Sequence, residues 1–156
     1  MLRNDPVQAH DTGEDRHRNP DAPLKNSLRK LYESHSRIKK NYSRVFVLGE
    51  SMGGLLTLHL AAKYPDLCGV LLFAPAVKIS RLWLAKILWP FVPVMQKKPA
   101  DNQLPQQSYN AFPLKAAASL FDLQRIVRSE LPDITTPILI FQGRHDDTID
   151  AMGAVY

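Results

Sequence analysis

The chain has 156 residues, 45% hydrophobic and 22% charged, the balance of one globular domain with a real core. Its formal charge of +5 is spread along the chain with acids interleaved, which argues against a basic patch for nucleic acid. The single cysteine, Cys68, excludes an internal disulfide, fits a reducing compartment and reads as a small buried hydrophobe.

Residues 1–20 are rich in Asp, Asn, His and Arg and nearly free of large apolar groups, so this segment is expected to be a disordered tail. It contains no apolar h-region, hence no signal peptide is expected and the cytoplasm is the expected location. His10, Asp11, Asp15 and His17 match no metal-site spacing, and no metal is expected.

Order is expected to begin at Asp21, an N-cap followed by Pro23. Leu24, Leu28, Leu31, Tyr32 and Ile38 then recur at helical spacing between Lys, Arg and Ser, predicting an amphipathic helix with His35 on it. Val45-Phe46-Val47-Leu48 is continuously apolar, too short for a helix and bounded by Gly49, as expected of a strand buried on both faces. A second helix, about Met52 to Lys63, is stopped by Pro65. Gly69 to Ala74 repeats the buried-strand pattern, and Ile138-Leu139-Ile140-Phe141 repeats it again after Pro137. Apolar strands alternating with helices imply an α/β layer architecture around a parallel sheet of three strands.

Between the second and third strands, residues 78 to 136 form an insertion far longer than an ordinary loop, which predicts structure and purpose of its own. Its first part, Leu82 to Val92, is the most apolar stretch of the chain, yet Lys86 and Pro90 make it too short and interrupted to span a bilayer. It reads either as a packed helix or as a lid whose apolar underside faces a greasy substrate. Gln103 to Gln107 is loop-like.

The informative string is Gly49-Glu50-Ser51-Met52-Gly53-Gly54, directly after one predicted strand and directly before a helix. A serine at such a turn is held at strained backbone angles that push Oγ out at the carboxyl end of the sheet. Gly49 and Gly53 flank it because side chains there would collide with neighbouring backbone. The Met52 amide, in the first turn of the helix, is placed to stabilise an oxyanion. A serine hydroxyl needs a base and the base an orienting carboxylate. The third strand ends in Gln142-Gly143-Arg144-His145-Asp146-Asp147, which brings a carboxylate to the same edge of the sheet. Asp146 is preferred as the acid, with Asp147 expected to cap a helix beginning near Asp150. In chain order the histidine should come last, and none follows Asp146 in this sequence. His145, beside the acid, and His59, two turns from Ser51, read as structural rather than as substitute bases.

With these residues the chain resembles the α/β-hydrolase superfamily, and within it the carboxylesterase and monoacylglycerol-lipase group related to serine aminopeptidase-like hydrolases. The likeness runs from about Leu24 to Asp150 and includes Phe73-Ala74-Pro75-Ala76, Tyr109 with Pro113-Leu114, and Ile134-Thr135-Thr136-Pro137. It implies a partial α/β-hydrolase fold with a helical cap at about residues 78–136. It also implies Ser51 as nucleophile, Asp146 as acid, the Met52 amide as one oxyanion donor, and hydrolysis of carboxylic esters or lipids without a cofactor. The family's first strands, its His-Gly loop, its last strand and its catalytic histidine have no counterpart here, so the chain is expected to be an internal piece of the fold. The competing expectation is a non-catalytic remnant that binds an acyl ligand or a partner protein, or associates with itself through an open sheet edge.

Overall fold

A computed structural model of the chain describes residues 22–96, 111–146 and 148–154. The expectations for the tail, for Asp21 as a cap, for Gln103 to Gln107, for Tyr109 and for Asp147 lie outside the described residues.

The elements in chain order are α1 (Ala22–Asn41), β1 (Phe46–Glu50), α2 (Met52–Lys63), β2 (Gly69–Phe73), α3 (Leu84–Leu88), β3 (Val94–Gln96), β4 (Ala111–Pro113), α4 (Leu114–Glu130) and β5 (Ile138–Phe141). Short 3-10 turns at Leu131–Asp133 and Ala151–Ala154 follow α4 and β5. The main sheet is parallel, in the order β1-β2-β5, with Phe46 opposite Gly69 and Val70 opposite Ile138. The expected three-strand parallel core is therefore present.

This order explains where the core sits. The strands advance in one direction across the sheet, so right-handed crossovers deliver α2 and α4 to the same face. That face carries Val70 and Leu72, which are sealed with Leu55, Leu58, Leu123 and Val127, while Leu24, Leu31 and Tyr32 of α1 pack against the same cluster. The opposite face carries Phe46, Leu48, Phe73, Leu139 and Phe141, and no described element covers it. Leu72 is fully buried whereas Leu48 is 62% and Leu139 55% exposed. Phe73 and Phe141 stack on the bare face with ring centroids 4.6 Å apart. The expectation of strands buried on both faces is thus corrected: continuous apolarity marks residues suited to two covered faces, and only one is covered among the described residues.

The insertion departs from a purely helical cap. Only Leu84–Leu88 of the apolar stretch is α-helical, because Pro90 cannot continue a helix, and β3 and β4 form an antiparallel pair. Leu82 and Ala85 pack on Leu114 and Ala117 of α4, and Lys86 reaches Asp122 at 2.5 Å. The rest of α4 sends Leu123 and Val127 into the main core. Cys68 is half-buried at the entry to β2 rather than enclosed, and the 3-10 turn near Asp150 replaces the helix expected there, with Asp150 itself capping it through the Met152 amide.

A polar clamp joins three helices at the end of the core. His59 Nδ1 lies 2.6 Å from the Glu130 carboxylate and its Nε2 lies 2.5 Å from the Tyr32 hydroxyl, while Lys63 reaches the other Glu130 oxygen at 2.8 Å. The carboxylate only accepts, so Nδ1 carries a proton. Burial pushes the Glu130 carboxyl up, but hydrogen bonds from Lys63 and His59 outweigh it and hold the group below its ordinary 4.5. His35, also buried, lies against the Tyr64 ring with centroids 4.1 Å apart and planes tilted by 40°.

Replacing Glu130 by Gln should cost about 2 kcal/mol at neutral pH, because a charge-assisted acceptor is lost from a mostly buried site. A depressed carboxyl stabilises the fold fully above 4.5 and loses that contribution as pH falls through its folded value. Urea midpoints of wild type and Glu130→Gln should therefore differ at neutral pH and converge as pH falls through the depressed folded value of that carboxyl; equal midpoints at neutral pH would show that the clamp adds nothing.

Candidate active site

β1 ends at Glu50 and α2 begins at Met52, so a single residue makes the turn from strand to helix. That residue, Ser51, takes φ 51° and ψ −117°, a conformation that L side chains rarely adopt. It is exposed at the carboxyl end of the sheet. The turn is held by backbone hydrogen bonds: the Ser51 amide donates to Phe73 O at 3.0 Å, and Ser51 O accepts from the amides of Gly54 (3.1 Å) and Ala76 (3.0 Å). Met52 is the first residue of α2, so its N–H belongs to the first turn of amides that have no carbonyl four residues back.

The glycines divide unequally. A Cβ on Gly49 would stand 2.4 Å from Gly53 O and 2.5 Å from Thr57 Oγ1, so the strand must come in bare against the helix. Nothing lies within 4 Å of a Cβ built on Gly53, which corrects the expectation of crowding there. The crowded position is its neighbour Gly54, whose Cβ would meet Pro75 Cβ at 2.9 Å. The reason lies in Phe73-Ala74-Pro75-Ala76: the chain leaving β2 passes directly under the start of α2, with Ala74 at φ 41° and Pro75 fully buried.

Asp146 lies in the loop after β5. Glu50, Phe73 and Phe141 are in register, so the chain leaves β1 and β5 at one edge of the sheet, two strand spacings or about 10 Å apart. The Asp146 carboxylate accepts from the amides of Thr148 and Ile149, both at 2.9 Å, and from Gln142 Nε2 at 3.2 Å. The Ile149 amide first, then that of Thr148, and with them Gln142, hold its carboxyl below the ordinary 3.8 against a smaller effect of desolvation. Asp146 is thus an ionised acceptor held by three donors of its own loop. Gln142 and Ile149 carry no motif signature, and sequence reading passed them over.

Among the described residues, His59 and His145 take no part in this arrangement. His59 is buried with both ring nitrogens engaged by Glu130 and Tyr32, and His145 is exposed while the Asp146 oxygens go to other donors. A further missed residue is Gln124, a buried amide on the apolar face of α4 that donates to Ala76 O at 2.5 Å. A polar side chain within the Leu114, Ala117, Leu120, Leu123, Val127 series was the available signal. No group of three or more His, Cys, Asp or Glu among the described residues is arranged to hold a metal.

A parallel sheet with helices on it, a serine at a strained strand-to-helix turn and an aspartate beyond a neighbouring strand define an α/β-hydrolase fold. The family model for serine aminopeptidase, S33, matches residues 24–155, and the chain belongs to that family. It is 31% identical to the thermostable monoacylglycerol lipase of Bacillus sp. (strain H-257), across 75% of this chain and 48% of that protein. It is 29% identical to the monoglyceride lipase of Homo sapiens, across 81% of this chain and 50% of that protein. The chain therefore spans about half the length of these relatives. Among solved structures, the monoacylglycerol lipase of Paleococcus ferrophilus superposes with a TM-score of 0.61 at 22% identity, over 80% of this chain and 57% of that one. A structure of the metagenome-derived lipolytic enzymes LipS and LipT superposes at 0.67 with 21% identity, over 85% of this chain and 54% of that one; both likenesses concern the fold.

The packing at the turn makes opposite predictions for its two glycines. Gly49→Ala should cost at least about 2 kcal/mol, because the new methyl meets backbone rather than a movable side chain. Gly53→Ala should be neutral or stabilise by up to about 1 kcal/mol, since a helical glycine in open space gives way to a better helix former. Thermal denaturation of the two variants checks both signs, and a Gly53→Ala change as costly as Gly49→Ala would contradict the geometry.

Proposed function

We propose that this chain carries the nucleophile and acid of a serine ester hydrolase of the carboxylesterase or monoacylglycerol lipase type, working through an acyl-enzyme on Ser51. The observation that carries the reading is the backbone of Ser51: a non-glycine residue at φ 51°, exposed where a strand meets a helix, is the arrangement of a nucleophile elbow. In this reading Ser51 Oγ attacks the ester carbonyl, the amide of Met52 and the field of α2 stabilise the oxyanion, and Asp146 orients the base. Gly49 and Gly53 are the elbow glycines. No cofactor enters the reaction.

The Bacillus and Homo sapiens relatives named above are monoacylglycerol and monoglyceride lipases, which supports a lipid or small ester as substrate. The cap proposed at about residues 78–136 is best supported by its described parts before α4, residues 78–96 and 111–113, since α4 contributes to the main core. Leu82 and Ala85 fasten this segment down while Trp83, Ile87 and Phe91, the last 82% exposed, remain apolar and outward. That surface suits an acyl chain. No helix among the described residues is long and apolar enough to cross a membrane.

The base is to be supplied from outside the segment that holds Ser51 and Asp146. Joined to the parts of the Bacillus lipase that the alignment leaves uncovered, the chain should hydrolyse short and medium acyl esters, and Ser51→Ala should lower that activity by several orders of magnitude. Retention of most activity in Ser51→Ala would remove Ser51 from the mechanism. By itself, with no histidine after Asp146, the chain should react weakly or not at all with a serine-directed phosphonate. Strong labelling lost in His145→Ala or His59→Ala would identify a substitute base.

A second reading, binding in place of catalysis, is favoured by the bare sheet face. Phe46, Leu48, Phe73, Leu139 and Phe141 form one apolar surface, and β1 has no partner on its outer side among the described residues. Such a face and edge accept another chain. Light scattering of the purified protein at micromolar concentration should show dimers or larger species; a monodisperse monomer with cooperative unfolding would count against association.

A further inference from the structure

We propose that Gln124 is a positioning residue for the Ser51 turn, acting through Ala76; the inference rests on the reading of Ser51 as nucleophile and extends the site to α4. The strained turn has to be held from outside, because nothing in a serine favours φ 51°. Its carbonyl is held from two sides, by the Gly54 amide within the helix start and by the Ala76 amide from the chain leaving β2. The first of these forms with any helix that begins here. The second depends on where residues 74–77 lie, and these are not in regular structure.

Gln124 determines that position. Its Nε2 donates to Ala76 O, so one peptide-bearing residue accepts from α4 through its carbonyl and donates to Ser51 through its amide. The two bonds fall on successive peptide units, so they fix Ala76 from both of its ends. Gln124 and Ala76 are both buried, and Pro75 beside them is fully enclosed against Gly54. Without the amide of Gln124, Ala76 O would be buried with one donor fewer, and the loop could relax away from Ser51 O. Leu123 and Val127, on either side of Gln124 along the helix, fix α4 in the main core, so the donor is delivered by a rigid element.

The test uses the whole 156-residue chain and two variants of similar bulk, Gln124→Leu and Gln124→Met, followed by nuclear magnetic resonance. Removing the donor should speed hydrogen exchange of the Ala76 amide by about tenfold, while Val70 and Leu72 in the sheet change by less than about twofold. The Ser51 Cα chemical shift, which reports its left-handed backbone, should move toward ordinary values in both variants. Unchanged Ala76 exchange and an unchanged Ser51 shift would overturn the proposal. So would a uniform loss of protection across the sheet, or failure of both variants to fold, since either makes Gln124 a residue of general stability. These readouts need no turnover, so they judge Gln124 separately from the Ser51→Ala experiment that judges the nucleophile.

Discussion

The backbone of Ser51 is the constraint on which the rest of the arrangement depends. A β-strand and an α-helix run in different directions, and joining them through one residue requires angles that an L side chain resists. The strain is of the order of 1–3 kcal/mol and persists only if the surroundings over-determine it. They do so here with three backbone hydrogen bonds at Ser51, a strand that enters bare at Gly49 and a helix start pressed onto Pro75 at Gly54. Each of these comes from a different part of the chain. The turn is therefore a product of the packed sheet and helices, and its exposed hydroxyl and first-turn amides are consequences of where the strain is placed.

The sheet that supplies this framework is one-sided. Successive strands advance across it in a single direction, so both crossover helices fall on one face and bring the whole apolar core with them. The same regularity that makes the parallel sheet leaves Phe46, Leu48, Leu139 and Phe141 in water among the described residues. An apolar face of this kind is costly in isolation and is ordinarily covered. The chain belongs to the serine aminopeptidase, S33, family and spans about half the length of the relatives it matches.

Polar contacts among the described residues relate the helices to each other. Glu130 draws together Lys63 and His59 of α2, with Tyr32 of α1 beyond, and thereby engages both ring nitrogens of His59 within the clamp. Lys86 and Asp122 tie α3 to α4, and Lys78 and Asp150 close the loop after β5 over the chain leaving β2. Gln124 crosses from α4 to the segment under Ser51. The insertion is thus divided by its own contacts: the end near α4 belongs to the core, and the end near α3 keeps an apolar outer surface.

The sequence by itself determined the α/β class, the three parallel strands, the helix from Met52 and the placement of Ser51 and Asp146. Those features are written in local signals: four- to six-residue apolar runs, a proline after a helix, and glycines around a serine between strand and helix. Only the tertiary structure decided which glycines are crowded, because crowding at Gly54 comes from Pro75, about twenty residues away along the chain. It alone showed that one sheet face is bare, since an apolar strand reads the same whether one face or both are covered. Gln124, Gln142 and the amide of Ile149 likewise became visible only when distant segments met, because a polar group's role is set by the partner that folding brings to it and not by its neighbours in sequence.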